Sequence, residues 1–76
     1  MSKIIGVEKS KKEIYSLWNL SSHSPIWLIT VKTSRKAYDL AEEYAERYGI
    51  NVGIKREVVD EDGNIIKSEL IRVVKP

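Results

Sequence analysis

From Ser34 to Tyr48 the apolar residues Ala37, Leu40, Ala41, Tyr44 and Tyr48 fall at the i, i+3, i+4, i+7, i+11 spacing of one helix face. Ala45 widens that stripe. The pattern predicts an amphipathic helix over 34–48. Thr33 or Ser34 can cap its first turn with a hydroxyl, Arg47 suits its negative end, and Gly49 can take the left-handed conformation that stops it.

On either side of the helix the period changes to two. After it, Ile50 to Asp60 and Asn64 to Lys75 flank Glu61-Asp62-Gly63, a turn sequence with glycine where a left-handed residue is wanted. Pairing Asp60 with Asn64 predicts a hairpin in which Ile50, Ile54 and Val58 lie opposite Val74, Leu70 and Ile66 on the core side. The same register sets Lys55 against Glu69 and Glu57 against Lys67 on the other side. Before the helix, Glu13 to Leu20 and Ile26 to Lys32 are β-branched and aromatic runs around Ser21-Ser22-His23-Ser24-Pro25, and they predict a second hairpin. Lys3 to Glu8 reads as a further short strand, placed at a sheet edge. The expected fold is α+β, ββ(β)αββ: two antiparallel hairpins in a four- or five-stranded sheet with the helix packed on one face. No repeat or linker divides the sequence, so residues 1–76 read as one small domain.

The first hairpin carries the most information. If Leu20 pairs with Ile26, then Tyr15, Leu17, Trp27, Ile29 and Val31 share the face that the helix can cover. The opposite face, which should be polar, holds Ile14, Trp18, Leu20, Ile26 and Leu28. One helix covers one face. Five large apolar side chains would form a patch of several hundred Å², near the upper limit for monomers. The leading expectation is therefore a non-catalytic binding module that forms a homodimer through Ile14, Trp18, Leu20, Ile26 and Leu28. An internal fold-back of the second hairpin is a competing cover. So is a different protein, which would make the chain an inhibitor or adaptor of a host protein.

Charge adds a second reading. Thirteen Lys and Arg against eleven Asp and Glu leave +2 overall, which does not by itself indicate a polyanion partner. The distribution is uneven: residues 1–36 carry net +5, residues 37–62 net −5 and the remainder +2. Lys9, Lys11 and Lys12 in one loop, and Lys32, Arg35 and Lys36 at the helix start, interleave with Tyr15, Trp18 and Trp27. Cations for phosphates and aromatic faces for bases are what a DNA- or RNA-binding surface needs. The helix itself is a poor reader, because Asp39, Glu42, Glu43 and Glu46 repel phosphate. Any docking would use the sheet or the basic loop. The predicted register works against this reading in one respect, since it puts Trp18 and Trp27 on opposite faces.

Catalysis and cofactors find little support. His23 is the sole histidine and sits among serines with no neighbouring acid, so no nucleophile or acid/base pair is predicted. The four glycines make neither GxGxxG nor a phosphate loop. Asp60, Asp62 and Asn64 mimic the start of a calcium loop, but Ile65 and Ile71 stand where glycine and glutamate are required. With no cysteine and one imidazole, neither a disulfide nor a structural zinc site is expected. No cofactor, metal or small-molecule substrate is called. The first residues lack the apolar run of a signal peptide, and the expected location is cytoplasmic. Ten Ile, seven Val, three Asn and no Gln match the amide-poor usage of thermophilic proteins. No stretch carries a motif specific enough to name a family.

Overall fold

A computed structural model describes residues 11–76. The chain runs β1 (Lys12–Asn19), β2 (Ile26–Val31), α1 (Ser34–Tyr48), β3 (Val52–Val59) and β4 (Ile65–Val74). The four strands form one antiparallel sheet in the order β2-β1-β3-β4, with α1 packed across one face. This is the expected α+β arrangement. The strand expected at Lys3–Glu8 lies outside the described residues.

The helix spans the predicted residues, and its caps account for both ends. Thr33 is extended and its hydroxyl accepts the Lys36 N–H at 3.2 Å. Gly49 stops the helix at φ 64°, where a Cβ would be strained, and its N–H donates to the Ala45 carbonyl. Ala37, Ala41 and Ala45 face the sheet and are buried against Leu17, Val31, Val52 and Ile54. Three alanines let the helix come close to the strands, so a thin core can still exclude water. Burial of Leu17 and Ile54, both fully inaccessible, contributes about 1.5–3 kcal/mol each.

The turn between β3 and β4 also forms as its sequence implies. Asp60 N–H donates to the Asn64 carbonyl at 3.0 Å, and Gly63, at φ 85°, donates to the Asp60 carbonyl at 3.0 Å. Beyond the turn, however, the hairpin departs from the regular register. Val59 lies opposite Ile65, but shifts follow between Val58 and Val59 and again between Ile54 and Lys55. Val58 therefore pairs with Lys67, Lys55 with Leu70 and Val52 with Val74. The predicted ion pairs change accordingly. Arg56, not Lys55, reaches Glu69, at 3.2 Å, and Glu57 lies opposite Ser68 rather than Lys67. Leu70 moves off the core side, and Ile54, expected opposite Leu70, lies opposite Arg72.

The first hairpin holds a similar correction with larger consequences. Tyr15 pairs with Val31 and Leu17 with Ile29 as predicted, but a bulge between Leu17 and Trp18 sets Trp18 opposite Trp27 and Asn19 opposite Ile26. Directly paired residues share a face. Trp27 thus leaves the helix side and joins Trp18 on the other. Ile26 shares the helix side of the sheet with Asn19, at its margin, and Leu28 packs against the core cluster. The bulge inserts one residue into strict alternation, which relieves the excess of apolar residues on the outer face by turning Leu28 inward.

Candidate functional site

The face of the sheet turned away from α1 has no layer of described residues over it. Its centre is built by the inner strands. Alternation along β1 brings Lys12, Ile14, Ser16 and Trp18 to this side, and pairing with β3 adds Glu57, Lys55 and Gly53. Trp27 and Thr30 enter from β2, and Leu70 and Val73 from β4.

Gly53 sits opposite Trp18, and its missing side chain is used. A Cβ there would lie 2.8 Å from Leu20 Cδ1 and 3.1 Å from Leu70 Cδ1, so the two leucines close over the glycine and form a low apolar floor beside the indole. The indoles are held by their own neighbours. Trp18 Nε1–H donates to Ser16 Oγ at 2.9 Å, and Trp27 Nε1–H donates to Thr30 Oγ1 at 2.8 Å. With both N–H groups satisfied inside the sheet, what the rings offer outward is hydrocarbon and π surface. Trp27 is 54% exposed. Lys55 Nζ lies 4.8 Å from the centroid of the Trp18 ring, a cation–π contact that holds a positive charge on this face.

Two polar residues lie below this layer. Ser16 and Glu57 are buried, and the Ser68 hydroxyl reaches Glu57 Oε2 at 3.5 Å. Around the face the accessible charge is positive: Lys55 within it, Lys12 at the start of β1, Lys11 just before β1 and Lys32 just after β2. The acids Asp39, Glu42, Glu43 and Glu46 are exposed on α1, across the sheet. The open face is thus lysine-bearing, whereas the helix side mixes these acids with Arg35, Lys36, Arg47, Arg56, Lys67 and Arg72.

The residues singled out from sequence are divided by this geometry. Ile14, Trp18 and Leu20 meet on the open face, whereas Ile26 and Leu28 do not join them. Among the basic candidates, Lys12 lies on that face, and Lys32 and Lys36 line a shallow cleft with Val31 and Thr33. Arg35 and Lys36 flank a neighbouring cleft with Asp39 and Leu40. Lys9 lies outside the described residues. Trp27, Lys55, Gly53 and Leu70 were not predicted to belong together. A glycine inside a strand was the available signal for Gly53, because it often marks a close approach of other groups. His23 stands in the exposed loop between β1 and β2. No group of three or more potential metal ligands gathers among the described residues, nor is any described helix long and apolar enough to cross a membrane. No family model, curated protein or solved structure matches the chain.

Proposed function

We propose that this chain is a non-catalytic binding module whose working surface is the open face of the sheet, and that its ligand is single-stranded nucleic acid. The observation that carries the reading is the cross-strand pair of Trp18 and Trp27 on a face that no layer of described residues covers, with Lys55 over the Trp18 ring and Trp27 54% exposed. Unpaired bases stack on such rings whatever their sequence, typically with about 1–3 kcal/mol per base, and lysines at the margin neutralise phosphates. Because both indole N–H groups already have partners, docking a base leaves no donor stranded. A duplex keeps its bases stacked inside and offers this flat face only phosphate, so the reading predicts a preference for single strands.

The test is fluorescence anisotropy with labelled oligothymidine, oligouridine and a short duplex at low and moderate salt. Single strands should bind more tightly than the duplex, affinity should fall with salt, and Trp27→Ala should weaken binding by about tenfold or more while leaving the circular dichroism spectrum unchanged. Absence of binding at low salt would refute the proposal, as would binding indifferent to Trp27→Ala.

The alternative occupant is protein, a second copy or a different partner, and Ile14, Leu20, Leu70 and Val73 on the same face favour it. Against a second copy docked face to face stands the charge: Lys12 and Lys55 are set into that surface, while its acid, Glu57, is buried.

A further inference from the structure

The outer edge of β4 invites a second reading that does not depend on what the open face binds. Among the described residues β4 is an edge strand, ten residues long. Its outward side presents backbone donors and acceptors that no described strand pairs with. A long edge is a template for another strand unless charge or bulges blunt it, and the two register shifts of β4 flank the stretch Lys67–Leu70 and do not fall within it. Ile66 and Leu70 are 51% and 52% exposed.

The charges along β4 show which strand would fit. Lys67 and Glu69 stand two residues apart on the helix side, their charged ends 3.8 Å apart and Glu69 also 3.2 Å from Arg56, with Ser68 between them on the open side. In an antiparallel pairing of β4 with itself centred on Ser68, Lys67 of each copy faces Glu69 of the other, twice by symmetry. The same register sets Ile66 opposite Leu70, again twice. The stretch Lys67–Leu70 pairs with β3 without interruption between the two register shifts, so it is the regular part of the edge.

We infer that the chain forms a homodimer by antiparallel pairing of β4 with β4 of a second copy, centred on Ser68. The product is a continuous eight-stranded sheet. Its two-fold axis stands perpendicular to the sheet, so both helices lie on one side and both open faces on the other. Two aromatic sites would then share one surface.

Light scattering over a dilution series, without nucleic acid, tests the pairing. The parent protein should be dimeric. Lys67→Glu should weaken the dimer by about tenfold or more at low salt, because it places two glutamates opposite each other at both symmetric positions, and Glu69→Lys should do the same with lysines. Mixing the two variants should restore a dimer, since each glutamate then faces a lysine. Lys67 is well exposed, and circular dichroism checks that each variant is folded. A parent protein that is monomeric throughout, or a dimer that neither variant disturbs, would overturn the inference. Since no oligonucleotide is present, failure here is distinct from failure of the stacking proposal.

Discussion

One oxygen of Asp60 organises the turn that joins β3 to β4. Asp60 Oδ1 accepts the backbone N–H groups of Asp62 and Asn64, each at 2.9 Å. The Asn64 N–H is the main reason that the carboxyl titrates below its ordinary value of 3.8, because a hydrogen bond donated to the carboxylate favours the charged form. Since the folded-state value is depressed, the contribution to stability is complete above the unfolded-state value and fades as pH falls through the folded one. Thermal midpoints between about pH 5 and pH 2 should therefore fall more steeply for the parent than for Asp60→Asn, whose side chain does not ionise in that range. Equal slopes would contradict this account of the turn. The Asp60–Asn64 closure and the left-handed Gly63 were legible in sequence because each depends on neighbours within a few residues. The placement of Leu20 and Leu70 over Gly53 was not, because it depends on β1 and β4 arriving at the same point from distant parts of the chain.

At the scale of elements, α1 was read correctly because its period, its cap and its stop signal all lie within residues 33–49. Its N-cap is open to measurement. Thr33→Ala removes the acceptor for Lys36 N–H and should destabilise the protein by about 1 kcal/mol in urea unfolding, with Thr33→Ser close to the parent. A loss equal for Ala and Ser would point to packing instead of the cap. The strands were legible as strands, but their faces were legible only up to the first bulge. Once the pairing shifts between Leu17 and Trp18, Ile26, Trp27 and Leu28 of β2 change side while Trp18 and Leu20 keep theirs. Alternation in sequence carries no mark of where the extra residue enters. For this reason the sequence pattern puts Trp18 and Trp27 on opposite faces, whereas they are paired on one. The same effect in β4 moved Leu70 to the open face and exchanged the partner of Glu69.

Across the whole molecule, the uneven runs of charge were legible in sequence, but the gathering of Lys12 and Lys55 on the open face was not. The order β2-β1-β3-β4 places the first and second hairpins side by side, so β1 and β3 become the centre and their outward residues become a site. Opposite lies α1, whose exposed acids repel phosphate. The indoles and lysines of the open face predict where a ligand touches. The most direct measurement is an amide and indole N–H correlation spectrum recorded during titration with short oligothymidine at low salt. The account predicts that the indole N–H signals of Trp18 and Trp27, and the amides of Ser16, Gly53 and Lys55, shift together and saturably while the amides of Asp39 to Glu46 stay in place. Shifts confined to the helix and its first turn, or no shift at either indole, would contradict it.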